Sequence, residues 1–315
     1  MVGMFILSVD TWWNLRQQHV AAAGARSAAH EQRRALGERH AVEDFLWEYY
    51  PLRPSFLKRW HPGAGVGLAR PGEDHPAYEE YVERLGWRWH REINGVLFLD
   101  LAQYVPDRAR GIRFVHDLAK AILGRTPLFS CFGWHEWCMV YDGETRHGIP
   151  LRLGQEGTKK AVDEATVKCT HYDAFRFFTD EAVPHNTLQP TREKVLELEQ
   201  GGCLHANMDV LKWCLQLGPA IPGDLLLDAF DLARDIRWMD MAAAAYDLSH
   251  LGVDPIRIET PAGRSQYAAM QRNFAGRAKP LRERLLAITT EIGALDLPEA
   301  KPWSVKPSST PVVPL

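Results

Sequence analysis

The chain lacks most of the motifs that announce a particular chemistry. Its five cysteines (Cys131, Cys138, Cys169, Cys203 and Cys214) are odd in number, irregularly spaced and free of any CxxC, so neither a disulfide framework nor a zinc knuckle is indicated. No Gly-x-Ser-x-Gly elbow occurs, and none of the cysteines has an assignable base, which leaves acyl transfer and thiol catalysis unsupported. Neither a Gly-x-Gly-x-x-Gly fingerprint nor a P-loop is present. The glycines at 63, 65 and 67 lack the following Lys-Ser/Thr and read as a tight surface loop. No charge sign dominates. With 37 Lys and Arg against 40 Asp and Glu, the net charge is -3, which argues against a nucleic-acid backbone as the main partner, although a local basic groove stays open. Apolar runs are short of membrane-spanning length, and the first residues lead into Asp10 without a small-residue cleavage site. The expectation is a reduced, cytoplasmic protein.

The 315 residues, 46% of them hydrophobic, suffice for one large core. The pattern predicts a mainly α fold: a single large helical domain over residues 1–297, with a small extended or β insert around residues 127–170. A Pro/Ser-rich tail follows from 298 to 315. Helices are expected over Ser8–Leu36, ending at Gly37, and over His40–Tyr50. Others fall over Pro76–Leu85, Asp107–Leu123, Cys203–Leu217 and Pro222 to about His250. Short apolar and β-branched stretches such as Cys138–Tyr141 and Ala165–Thr170 supply the extended insert.

What the chain does have is histidine beside carboxylate. Cys131-Phe-Gly-Trp-His135-Glu136-Trp, Thr170-His171-Tyr-Asp173 and Cys203-Leu-His205-Ala-Asn-Met-Asp209 each place the pair among apolar or aromatic neighbours. A charge buried there needs a partner, and a metal ion is one that three such clusters can share. His205 and Asp209 are four apart, so a continuous helix puts both on one face. His40, Glu43, Asp44 and Trp47 also share a helical face, and inward carboxylates on such helices are the usual parts of bundle metal sites. The expected ligands are therefore His135, Glu136, His171, Asp173, His205 and Asp209, with Glu43 or Asp44 completing the set. Mixed imidazole and carboxylate ligation suits Fe(II), or alternatively Mn(II), and leaves positions open for substrate or oxygen.

Arg176 and Arg234 are the expected anchors for an anionic small-molecule substrate, because the guanidinium fork binds oxyanions bidentately. In the helix from Pro222 the apolar residues are spread around most of the circumference, so Asp228, Asp231 and Asp235 are expected to be paired, with Arg234 and Arg237 nearest. Oxidation of a small metabolite is the favoured reaction class, and metal-assisted hydrolysis follows closely. Oligomeric state is left open.

Two resemblances bear on this. His116-Asp117, in an amphipathic helix, is similar to the signature of the HD metal-dependent phosphohydrolases, for which His90 and Asp173 would supply the outer ligands. More extensively, the strings beginning at His40, Arg59, Phe132, Asp173, Cys203, Leu232 and Ile258 resemble an actinobacterial family commonly labelled "3-methyladenine DNA glycosylase", over about residues 40 to 285. That resemblance implies repair of alkylated DNA and carries no catalytic residues across to this chain.

Overall fold

The computed structural model describes residues 4–50, 52–143, 145 and 148–299. The tail expected from 298 lies outside the described residues from 300 onward. The fold is mainly α with one small sheet, as the apolar periodicity predicts.

The Val9–Leu36 helix ends where Gly37 enters the left-handed region at φ 71°, and the Gly37 amide closes the last turn on Arg33 and Arg34. The sheet has the order β1-β2-β4-β3, built from Phe5–Leu7 (β1), Val66–Ala69 (β2), His90–Ile93 (β3) and Val96–Leu99 (β4). β1 and β2 run parallel, and the other pairs are antiparallel. Asn94 and Gly95, both at positive φ, form the two-residue turn of the β3–β4 hairpin. A satellite core of Trp12, Trp60, Leu68, Ala77, Tyr81 and Leu97 seals this sheet against the first helix.

The sheet is not where the sequence put it. Among the described residues, 127–170 instead hold the helices Trp134–Cys138 and Gly154–Asp163, with only the isolated bridges Leu151↔Tyr246 and Val167↔Asn186 nearby. The β-branched character there reflects burial: Val140, Val162 and Val167 are all core residues.

The main core gathers around three helices. Pro261–Glu291 packs along Leu101–Leu123 and against Gly223–Ala242, while Leu204–Met208 and Val210–Leu217 dock onto the last of these. Leu101–Leu123 starts at Asp100, whose carboxylate accepts from the Ala102 amide. Pro261–Glu291 contains Pro280 and two glycines, residues that hide a helix from a propensity reading. The Gly223–Ala242 helix buries Leu225, Leu232, Ile236 and Met239, as its pattern implies. It also buries Arg237 and Asp240, each at 2% exposure or less, and these two carry the polar interior.

Candidate metal centre in the helical core

Three histidines from different parts of the chain meet inside the core. The His135 and His205 rings contact edge-to-face with centroids 4.5 Å apart, and His205 lies nearly parallel to His171 at 5.2 Å. All three are at least nine-tenths buried. Desolvating three imidazoles together is costly unless other groups compensate.

Local backbone explains how each arrives. Phe132 and Gly133 both have positive φ (46° and 77°), and this turn starts the short helix Trp134–Cys138 that aims His135 and Glu136 inward. A Cβ at Gly133 would sit 2.9 Å from Cε2 of Tyr267, so the position accepts only glycine. Gly202 is equally constrained, since a Cβ there would lie 2.2 Å from the Leu128 carbonyl oxygen. The segment around Gly202 is held by buried bonds. Gln200 Oε1 accepts from the amides of Leu128 and Gly202 (2.8 and 2.7 Å), and Arg282 donates to the Ala206 carbonyl and to Asn207 Oδ1 (2.9 and 2.7 Å). That scaffold presents Glu199, Cys203 and His205 together.

The first potential ligand group is His135, His205 and Asp240, with one donor atom from each all within 4.8 Å of one another. His135 Nε2 lies 3.3 Å from Asp240 Oδ2, and Asp240 Oδ1 has no hydrogen-bond partner. Burial alone would lower the His135 pKa, yet the carboxylates of Asp240 and Glu136 outweigh it and raise the value. Burial also works to raise Asp240, but His135, His205 and Arg237 bring it down to about 2. His205 is driven well below the usual imidazole range by burial and by His135, so it is neutral. His205 and Asp240 are thus in the states that metal ligation requires, whereas His135 would have to give up the proton that Asp240 and Glu136 favour.

Arg237 borders this group. Its Nη1 approaches Glu136 Oε1 at 3.4 Å and Asp240 Oδ2 at 3.9 Å, and its guanidinium lies 3.8 Å from the centroid of the Phe45 ring. Its Nε and Nη2 are buried without a hydrogen-bond partner. Glu136 is raised by burial, against the opposing pull of Arg237.

The second group is His171, Glu199 and Cys203. His171 Nδ1 stands 2.6 Å from Glu199 Oε1 and pairs with it, while Nε2 has no hydrogen-bond partner. Burial opposes a charge on His171, while Glu199, Asp209 and Asp173 overcome it and bring the ring up to about 9. Glu199 Oε2 also has no partner.

The third group, His171, Asp173 and Asp209, is already neutralised by protein. Lys212 Nζ lies 2.9 Å from Asp173 and 3.1 Å from Asp209, Tyr50 donates to Asp209 at 2.9 Å, and Arg176 Nε is 3.2 Å from Asp173. Lys212 is held charged by Asp209 and Asp173 despite its burial, so these carboxylates make a salt-bridge network rather than a vacant ligand set.

The structure thus regroups the ligands expected from sequence. His135, His171 and His205 do converge. Asp209 and His205 join different groups, although the backbone stays right-handed at Asp209 and its amide donates to the His205 carbonyl at 2.8 Å. Glu136 sits beside the first group as the partner of Arg237. Glu43 and Asp44 are not among the potential ligand groups: the helix expected from His40 begins only at Phe45, and both carboxylates turn to Arg33, with Asp44 also bound by His30 and the His40 amide. Arg176 pairs with Asp173 and stacks on Phe177, at 40% side-chain exposure. Arg234 points outward, 42% exposed, between Asp231 and Asp235, and Asp228 faces Arg284. The arginine of that helix that enters the interior is Arg237, three residues on. The HD arrangement does not form: Asp117 pairs with Arg113 and His116, and His90 stacks with His61 and Trp87 at the sheet.

Asp240, Glu199 and Cys203 were not among the expected ligands. The available signal for Asp240 was its place in Trp238-Met239-Asp240-Met241, a lone acid on an otherwise apolar face, i+3 from an arginine. Among the described residues no helix is long and apolar enough to cross a membrane. Comparison with protein-family models, with curated proteins and with solved structures gives no match, so the chemistry rests on these side chains.

Proposed function

We propose that the chain is a metal-dependent enzyme whose centre is His135, His205 and Asp240, and that it oxidises a small anionic metabolite. The observation that carries this reading is the convergence of two imidazoles and one carboxylate, all buried, with donor atoms within 4.8 Å. Two histidines and one carboxylate are the ligand set of non-haem iron sites that keep positions open, whereas structural zinc sites use four protein ligands. Fe(II) is the favoured ion, with Mn(II) the alternative, and bound iron would supply the site for dioxygen as electron acceptor.

The anionic character of the substrate is inferred from Arg237. Nε and Nη2 form one edge of the guanidinium, and that whole edge is buried and unpartnered while Glu136 holds the opposite end. Such an edge fits a carboxylate or phosphate bidentately. With a divalent ion, Arg237, Asp240 and an ionised Glu136, the centre retains one positive charge, which a monoanion would cancel. Arg237, Asp240 and Glu136 are themselves buried, and Phe45 covers the guanidinium, which keeps bulk water from these groups.

The test is anaerobic loading of the purified chain with Fe(II), then nitric oxide as a surrogate for dioxygen. The expected result is one iron per chain at this centre and a high-spin iron–nitrosyl signal in electron paramagnetic resonance, both lost in His135→Ala, His205→Ala and Asp240→Ala. Stoichiometric iron without a nitrosyl signal overturns the enzymatic reading. A chain that takes up no metal and binds duplex DNA in a salt-dependent manner overturns it in favour of the repair activity implied by the family resemblance.

A further inference from the structure

We infer that His171, Glu199 and Cys203 form a second metal site, distinct from the first and selective for a thiophilic ion such as Zn(II). The three donor atoms lie within 4.8 Å of one another, and the residues are 4%, 3% and 6% exposed. Two donors of one tetrahedral ion, at Zn–N and Zn–S distances of about 2.0–2.3 Å, stand about 3.5 Å apart, so side-chain shifts of up to about 1 Å complete the site.

What points to a ligand is the set of unmet valences. His171 Nδ1 is paired with Glu199 Oε1, but His171 Nε2 and Glu199 Oε2 are buried without hydrogen-bond partners. Native interiors leave few such atoms, and here two belong to residues in contact. The neighbouring carboxylates Asp173 and Asp209 do not share the shortage, because Lys212, Tyr50 and Arg176 already serve them. Of the two groups that share His171, the vacancy thus belongs to the one that contains the sulfur.

The donor set decides the ion. Imidazole, carboxylate and thiolate together suit Zn(II), while the sulfur-free first group suits Fe(II) or Mn(II). Charge closes as well. The Glu199 carboxylate and a Cys203 thiolate balance a divalent ion with His171 neutral. Binding forms metal–nitrogen, metal–oxygen and metal–sulfur bonds and releases the thiol proton and the imidazolium proton to solvent, with no redox change. Cys203 is well buried and its thiol is held protonated by burial and by Glu199, so in the absence of an ion it is not a reactive nucleophile. His205 stands between the two groups, its ring packed against His135 on one side and His171 on the other.

Cobalt substitution of the full chain tests the site, because a thiolate–Co(II) bond gives a sulfur-to-metal charge-transfer band in the near ultraviolet. Two Co(II) per chain are expected, with the band saturating as one of them binds and Zn(II) displacing that one first. Cys203→Ala should abolish the band and leave one ion. The near-isosteric Glu199→Gln should weaken the band-forming site by at least about tenfold. Asp240→Asn should remove the other ion and keep the band. Absence of a band in the unaltered chain, its survival in Cys203→Ala, or unchanged affinity in Glu199→Gln each overturns the second site. A band that stays while Asp240→Asn still holds two ions supports this site and refutes the first.

Discussion

Asp240→Asn separates a metal ligand from a buried counter-ion, because the two roles leave different marks on stability. The substitution keeps the shape of a side chain that is 1% exposed and removes its charge. Without metal, His135 at 3.3 Å and Arg237 at 3.9 Å lose the carboxylate between them. At an effective dielectric near 20 these contacts are each worth roughly 4–5 kcal/mol before desolvation. Breaking one buried partnership costs about 3–5 kcal/mol, and that is the expected loss in the metal-free chain. The second mark is linkage. A ligand present at a hundred times its dissociation constant stabilises the native state by about 2.7 kcal/mol. For a chain of this size that corresponds to a rise of about 4 °C in melting temperature. Mn(II) is the ion to use, since the sulfur-bearing group disfavours it. Thermal unfolding with and without Mn(II) should show this rise in the unaltered chain and no rise in Asp240→Asn. An equal rise in both would refute ligation by Asp240, and a metal-free loss below about 1 kcal/mol would refute the ion pairing.

Three further outcomes are expected. Arg237→Met leaves Glu136 and Asp240 without their buried cation, costing about 3–5 kcal/mol in the metal-free chain; Mn(II) should recover part of it, and urea midpoints with and without the ion measure both. Arg234→Ala should cost no more than about 1 kcal/mol and leave metal content unchanged, because the side chain is 42% exposed and its partners Asp231 and Asp235 also bind Arg26 and Arg277. Burial favours the neutral form of Asp44, but Arg33, His30 and the His40 amide bring its pKa down to about 2. A depressed carboxylate stabilises the fold above its ordinary value of 3.8, and that contribution is lost as pH falls through about 2. Asp44→Asn should therefore cost about 2 kcal/mol at neutral pH, with the gap to the unaltered chain closing over that acidic range in chemical denaturation.

Much of the helical frame was legible in the sequence, because the first helix ends at a glycine and Gly223–Ala242 announces its burial through apolar residues on most faces. The sheet was not. Its strands are three or four residues long, and β1 and β2 come from distant segments that no local pattern pairs; Asn94-Gly95, the turn of the β3–β4 hairpin, was the one readable signal. The histidines of the site were legible for a physical reason: imidazoles amid tryptophan, cysteine and leucine need compensation. Their carboxylate partners were not, because nearest acids in sequence were not nearest in space. Glu136, Asp173 and Asp209 turned to Arg237 and Lys212, and the atoms left vacant belong to Asp240 and Glu199. One helical turn also decided between Arg234 and Arg237, a distinction that a helix apolar on most sides does not make for itself.

The spread of the ligands along the chain has a consequence for how the protein is made. His135 and Asp240 are 105 residues apart, and His205 and His171 come from segments between them. No fragment shorter than that stretch contains the first ligand group. An ion bound by the proposed group therefore could not nucleate the fold as it does in a short finger whose ligands are neighbours in sequence; it would enter after the distant helices have docked. On a ribosome, where the chain emerges from its N-terminus, the centre stays incomplete until the helix carrying Asp240 has cleared the exit. On the proposed reading, loading of the ion is therefore a late, post-folding step that passes through a compact metal-free protein.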